Sequence, residues 1–434
     1  MVLIPRKLGQ QIEHFLNRRE YLAIIGPRQS GKTTFIKMLK EHLINQQIAA
    51  EQNIHYLTFE DRKLLHSFQQ DPVAFVRSYV LPADKLTVLM IDEFQYAAGG
   101  GQKLKLVYDT MEKVKIVITG SSSLEIKAKV GKFMVGRLLT FQLFPFDFQE
   151  YLLACDKRLA RVSSERQEIV YQYLRGLNNR WPVQGIDPCA EQLTPLFENY
   201  ATFGGYPAVV LAETELEKQK LLNDIYDNYI LRDIKGLLEL ATEDQLYQLT
   251  RVLATQIGNL INYQNLGQST DLNYRNLKKH LRILQETFVV KLLTPYFTNK
   301  QKELSKNPKV FFEDLGFRNS LLKSFQLLEQ KAERGALIEN VIYLQLKRAL
   351  AEEAEINFWR TKAGAEVDFV IQERGEIIPV EVKYSSFDQP KISRSLAALI
   401  NNFKPARALV VNKNYFGQKT VNNCAVSFVP VYYV

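Results

Sequence analysis

The run Tyr21-Leu22-Ala23-Ile24-Ile25 passes directly into Gly26-Pro27-Arg28-Gln29-Ser30-Gly31-Lys32-Thr33-Thr34, after which apolar residues recur at helical spacing over 35–43. A buried strand, a glycine-bounded loop and a helix at this spacing form a phosphate-binding P-loop, a motif at home in α/β domains. The residue types answer the chemistry. Glycines let backbone N–H groups curl round phosphates, and the helix N-terminus adds its positive end. Lys32 is expected to meet the β- and γ-phosphates and Thr33 a magnesium ion, so ATP and Mg²⁺ are the expected ligands of the run from Gly26 to Thr34.

Further β-branched runs at 55–59, 87–91 and 115–119 alternate with helical stretches, which predicts a largely parallel sheet. The run 87–91 ends in Asp92-Glu93, at the carboxyl end of its strand, where the crevice of an open α/β sheet lies. In this Walker B arrangement Asp92 would hold magnesium, directly or through water, and Glu93 would orient the water that attacks the γ-phosphate. The other reading is that the pair caps a following helix. Ser121 and Ser122, after the next strand, would sense the γ-phosphate or cap a helix. Arg137, after Gly136, would act as an arginine finger in cis or from a neighbouring subunit, which would make the protein a homo-oligomer, or would be a plain surface arginine.

At roughly 150 residues per domain, 434 residues predict about three domains. With 46% hydrophobic and 24% charged residues the chain is expected to be globular. The 56 Lys and Arg against 47 Asp and Glu leave +9, which favours a polyanionic partner, DNA being the expected one. Cys155, Cys189 and Cys424 are far apart and form no zinc pattern, which suits a reduced cytoplasmic setting. No apolar run approaches the roughly 20 residues that cross a bilayer, so no membrane association is expected. The seams divide the chain into a P-loop domain over 1–140, a helical lid over 141–243 with one β-branched run at 208–211, a winged helix-turn-helix over 244–316 and a mixed α/β domain over 317–434.

In the third of these, the helix over 273–288 sets Arg275, Lys278, Lys279, His280 and Arg282 among Leu277, Leu281 and Leu284. A basic recognition helix suits a DNA major groove, and the lysine-rich segment 299–309 would be a wing over the phosphates; packing or protein docking is the other use of such a helix. In the last domain, Asp368, a short turn over 373–376 and Glu381-Val382-Lys383 make a D…E-x-K pattern. Period two places Glu381 and Lys383 on one face, and hairpin pairing brings Asp368 beside them. Asp368 and Glu381, with Glu339 from the preceding helix, would hold metal, and Lys383 would stabilise charge. The order of elements resembles the PD-(D/E)XK nuclease core; both a cleaving site and an inert scaffold are open.

The loop Gly26–Thr34, Ile91-Asp92-Glu93-Phe94-Gln95, Thr119-Gly120-Ser121-Ser122 and Gly136-Arg137 together resemble the AAA-type ATPases common in bacteria and archaea. The resemblance continues through Phe203-Gly204-Gly205-Tyr206-Pro207, Arg232-Asp233-Ile234, the run from Asn307 to Gly316, Trp359-Arg360-Thr361 and Val380-Glu381-Val382-Lys383, nearly the whole chain. Phe94 departs from it, an aliphatic residue being usual there. The resemblance implies little about cellular role, the C-terminal region of that family being a domain of unknown function; the residues themselves leave two expectations, an ATP-hydrolysing enzyme acting on or bound to DNA, or a regulatory ATPase whose winged helix docks proteins and whose nuclease-like domain is inert.

Overall fold

Strands β1 (Tyr21–Ile25), β2 (Ile54–Thr58), β3 (Thr87–Asp92), β4 (Val114–Gly120) and β5 (Leu138–Gln142) pair in parallel in the order β2-β3-β4-β1-β5. In this computed structural model the described residues are 3–80, 86–121, 126, 130–177, 181, 184–228, 243–298 and 306–434. β1, β3 and β4 are buried along their whole length, as strands covered on both faces must be. Their side chains alternate between two cores. Tyr21, Ala23 and Ile25 join Ile91, Ile118, Phe59, Phe68 and Phe94 on one face, and Leu22 and Ile24 join Met90 and Val117 on the other. The helix Lys32–Asn45 lays Phe35, Ile36, Leu39 and Leu43 on that second face. Phe94 is accommodated by Gly100, where a Cβ would come within 2.6 Å of its ring. β5, which the periodicity did not indicate, is an edge strand with half-exposed residues, and its register sets Tyr21 beside Leu138 and Ile25 beside Gln142.

These strands belong to one of two compact units, Met1–Phe146 with Leu281–Val289; the other is Asp147–His280 with Val290–Val434. The second unit begins with helices. Asp147 and Glu150 form a capping box at the start of Phe148–Cys155, and Asp156 caps Lys157–Leu174. The helix Ala190–Phe203 stops at Gly204, whose φ of 75° and ψ of −165° lie in a region open essentially to glycine alone. Buried Asp314 packs against this point, accepting from the N–H of Gly205 at 2.8 Å and of Phe317 at 2.9 Å. The run at 208–211, read as β-branched, is instead the short helix Pro207–Val210, with Pro207 in its first turn.

Along the chain, helices Glu243–Thr255, Tyr263–Thr270 and Tyr274–Glu286 precede an antiparallel pair, β7 (Val290–Leu293) and β8 (Lys309–Phe312). The C-terminal sheet has the order β6-β13-β14-β12-β11-β10-β9, formed by β6 (Gly185–Ile186), β9 (Glu355–Arg360), β10 (Glu366–Glu373), β11 (Glu376–Val382), β12 (Arg407–Asn412), β13 (Tyr415–Val421) and β14 (Cys424–Pro430). β9, β10 and β11 are antiparallel neighbours, and β11, β12 and β14 run parallel. The helix Arg394–Phe403 buries Leu396, Leu399 and Ile400 on one face against Val367, Val370 and Val410, each such side chain contributing about 1.5–3 kcal/mol. From the helix Arg334–Ala349, Tyr343 lies against Phe369 on the other face, with ring centroids 6.1 Å apart.

An alanine at position 204 would bring its Cβ to 2.2 Å from Asp314 Oδ1 in a backbone region closed to it. Gly204→Ala is expected to destabilise the protein by at least about 1–3 kcal/mol, read as a lower urea midpoint; an unchanged midpoint would refute this account of the turn.

Candidate functional site

The loop between β1 and the helix Lys32–Asn45 is shaped by close approach. A Cβ on Gly26 would lie 2.0 Å from the Leu143 carbonyl oxygen, and Gly31 caps the helix with φ 94°. Gln29 also has positive φ, 59°. Such turns of the backbone direct successive N–H groups inward, which makes an anion-binding concavity. Arg6 braces the loop by donating to the Ser30 carbonyl at 3.0 Å, a role that nothing in the local motif signals. Lys32 is buried, its ammonium donating to the carbonyls of Gly26 at 3.0 Å and Pro27 at 2.9 Å. Pro27 and Ser30 are buried, Arg28 and Thr34 half-buried and Gln29 exposed.

Asp92, at the end of β3, is 4% exposed and gathers donors from neighbouring segments. Its Oδ2 accepts from the Thr33 hydroxyl at 2.7 Å and the Tyr56 hydroxyl at 2.9 Å; its Oδ1 accepts from the Thr119 hydroxyl and from the Glu93 N–H. Glu93 has left-handed φ, 55°, and caps nothing with its side chain, so the helix-cap reading of Asp92-Glu93 fails here. Burial raises the Glu93 carboxyl above the ordinary range, against the pull of the Lys32 ammonium and a hydrogen bond from Gln95. Gln95 Nε2 bridges Glu93 and the Ser121 hydroxyl, the latter at 3.3 Å. Tyr56 and Gln95 are thus parts of the site that the motif reading did not assign a role. Ser122 lies outside the described residues.

The same geometry tests the expected ligands. The positive φ of Gln29 and Gly31 curves the loop as a phosphate cradle needs, and the buried Ser30 hydroxyl has no hydrogen-bond partner. Thr33 and Asp92, already 2.7 Å apart, are an oxygen pair suited to magnesium. Arg137 is not brought there. It precedes β5, its carbonyl accepts from the Tyr21 N–H at the start of β1, and its guanidinium pairs with Asp109 at 3.1 Å. That is the end of β1 away from the P-loop.

In the C-terminal sheet, the β10–β11 hairpin turns through Arg374 and Gly375, with φ of 51° and 80°, as a two-residue turn of the primed type requires. The register sets Phe369 beside Val380, which carries Asp368 to the level of Glu381. A register shift against β9 between Val367 and Val370 falls at Asp368, and such a bulge re-aims a side chain. Asp368, Glu381 and Lys383 therefore come together, and Glu339 joins them from the helix Arg334–Ala349. They do not close on one metal position: among the described residues no group of three or more Asp, Glu, His or Cys side chains is placed to hold an ion. Each carboxylate has another partner. Asp368 accepts from the Val382 N–H at 2.7 Å, Glu381 faces the Lys383 ammonium at 3.6 Å, and Glu339 faces the buried Lys309 ammonium at 3.7 Å. Yet Glu381 Oε2 is buried without a hydrogen-bond partner.

On the third helix of the helical segment, Arg275, Lys278, Lys279 and Arg282 are exposed. His280, expected on that basic face, is 3% exposed with Nδ1 2.6 Å from the Asn276 carbonyl, and burial lowers its pKa. Residues 299–305 of the expected wing and the run Arg232-Asp233-Ile234 lie outside the described residues. Among the described residues no helix is long and apolar enough to cross a membrane.

Burial, then the neighbouring Asp368, pushes the Glu339 carboxyl up to about 8, so the folded chain holds a proton there that the unfolded chain has released. Stability linked to this group is greatest below the unfolded value and falls as pH rises from about 4.5 to about 8. Melting temperatures between pH 6 and 8 are expected to fall less steeply in Glu339→Gln than in the unsubstituted chain; parallel profiles would refute the shift.

Family models match three separate stretches of the chain. A family model described as an AAA domain matches residues 18–152, and models described as domains of unknown function, DUF8612 and DUF4143, match 194–327 and 334–433. An uncharacterized protein of Haemophilus influenzae is 23% identical over 97% of this chain and 96% of its own length. One from Methanocaldococcus jannaschii is 22% identical over 92% and 82%. Among solved structures, a Walker-type ATPase of Pyrococcus abyssi covers 74% of this chain and 96% of its own, at 14% identity and a TM-score of 0.43. Residues 18–152, which carry the parallel sheet and the P-loop sequence, are thus similar to an AAA-type P-loop domain.

Proposed function

We propose that this chain is a magnesium-dependent ATPase that acts on DNA or is bound to it. The observation that carries the first half is the convergence of Thr33, Thr119 and Tyr56 on the Asp92 carboxylate beside the P-loop. Lys32 would leave the loop carbonyls for the β- and γ-phosphates, exchanging weak partners for charged ones. Thr33 and Asp92 would hold magnesium, which when bound neutralises phosphate charge. Glu93, its basicity raised by burial, would orient the attacking water and draw its proton, and Gln95 ties its position to Ser121. Arg137 could serve as a finger only from a neighbouring copy, which would require a homo-oligomer.

The second half rests on the order of helices and hairpin from Glu243 to Phe312, that of a winged helix, with Arg275, Lys278, Lys279 and Arg282 exposed on its third helix. The C-terminal order, helix with Glu339, β9, Asp368-bearing β10, Glu381-bearing β11, helix and β12, supports a PD-(D/E)XK-like core. The buried Lys309 beside its carboxylates favours a second reading, a regulatory ATPase whose nuclease-like domain is inert and whose winged helix docks proteins. Three free cysteines suit a cytoplasmic protein in either case.

Lys32→Ala is expected to abolish ATP binding and turnover, whereas Glu93→Gln should bind ATP and hydrolyse it roughly 10²–10⁴-fold more slowly. Turnover unchanged in either variant would overturn the ATPase reading. Replacing Arg275, Lys278, Lys279 and Arg282 by glutamine should weaken duplex DNA binding and flatten its dependence on salt by about one unit of logarithmic slope for each phosphate no longer neutralised. No DNA binding by the unsubstituted chain at low salt would sink the DNA half and leave the regulatory reading.

A further inference from the structure

Arg6 precedes the helix Lys7–Glu13, whose Leu8 and Ile12 join the core on one face of the N-terminal sheet, and is only 9% exposed. Its guanidinium donates to the Ser30 carbonyl at 3.0 Å and to the Phe144 carbonyl, just after β5, at 2.5 Å. It also lies 4.8 Å from the centre of the Phe146 ring. The Ser30 carbonyl shares one planar trans peptide with the Gly31 N–H, so the two point in opposite directions. Arg6, by holding the oxygen, therefore fixes where the Gly31 N–H aims. The neighbouring peptides have other anchors. The Ser30 N–H turns back to the Pro27 carbonyl at 3.3 Å. The Gly31 carbonyl takes the Phe35 N–H at 2.8 Å as the first bond of the helix Lys32–Asn45, which sends the Lys32 N–H out of the helix N-terminus.

Between these anchors the Ser30–Gly31 peptide has two orientations open to it. A flip rotates ψ of Ser30 together with φ of Gly31, and glycine accepts either sign of φ. The residue that lets the loop adopt a φ of 94° thus also lets this peptide turn over. Turned over, it would present a carbonyl oxygen where a phosphate needs a donor. We propose that Arg6 is a positioning residue for the phosphate site, selecting the peptide orientation that offers the Gly31 N–H to the nucleotide. The inference rests on the reading of 26–34 as a nucleotide-binding loop. A guanidinium suits the role because its planar fork meets carbonyls of two segments at once, whereas an ammonium is a compact point charge. The same fork ties the loop to the chain after β5, where the Leu143 N–H donates to the Ile25 carbonyl at 2.8 Å. The loop is thereby braced against the sheet from which it springs.

The test is calorimetric titration of ADP into the full chain, with steady-state ATP turnover, for the unsubstituted protein, Arg6→Met and Arg6→Lys, each also characterised by its urea midpoint. Arg6→Met keeps the apolar stem and loses every donor. It is expected to raise the Kd for ADP on the order of tenfold, and to raise KM for ATP by more than it lowers kcat. Arg6→Lys, which can reach one carbonyl but cannot bridge two, should fall between Arg6→Met and the unsubstituted chain. An arginine that only supports the fold would lower the urea midpoint and leave the Kd of the folded chain where it was; that result overturns the proposal. So does a loss of kcat at unchanged ADP affinity. If Arg6→Met does not fold, Arg6→Lys decides, and ADP affinity equal to that of the unsubstituted chain overturns the proposal while the nucleotide reading stands. Absence of ADP binding by the unsubstituted chain overturns the nucleotide reading and the proposal with it.

Discussion

The N-terminal architecture turns on one buried carboxylate. Asp92 is nearly inaccessible, and an ionised carboxylate in that position is costly unless every lone pair is met. Its donors come from four places: the helix after β1, β2, the residue after β3 itself, and β4. They coincide only because β2 and β4 flank β3 and all strands point the same way, bringing their carboxyl ends to one edge. A different strand order would leave Asp92 short of partners, so the sheet's topology and the site's chemistry satisfy a single requirement.

That requirement was partly legible in the chain. β1 to β4 stand out because strands buried on both faces read as continuous apolar runs, and the loop at Gly26–Thr34 fixes its own context. β5 did not stand out, since an edge strand with half-exposed positions has neither a continuous run nor a clean alternation. Tyr56 reads as an ordinary strand aromatic. Only the lateral pairing of β2 with β3, which sets Thr58 beside Asp92 and Leu57 beside Ile91, carries its hydroxyl to the carboxylate. Arg6 is further from legibility, reaching Ser30 across 24 residues from a segment with no motif.

In the second unit the misses have nearer causes. His280 stands three residues after Leu277 and four before Leu284, which is the apolar stripe of that helix; periodicity alone assigns it inward, and its basic character misdirected the reading. The Arg374-Gly375 turn announced its hairpin through glycine. The turn at Asn422-Asn423 uses positive φ, 48° and 64°, at both residues in the same way, and asparagine tolerates that region well enough to have signalled the strand β13 before it.

The two carboxylate clusters differ in what holds them. Around Asp92 the nearest partners are neutral hydroxyls and one N–H, and a hydroxyl oxygen can turn from donor to acceptor by rotation. Around Glu339 and Glu366 the partners are the Lys309 ammonium and, for Glu366, the Arg360 guanidinium, cations with no lone pair to offer. The first cluster meets its carboxylate with dipoles; the second is neutralised from within by charge. Similar acidic residues in two sheets of one chain are thus met in different ways by the choice between hydroxyl and ammonium.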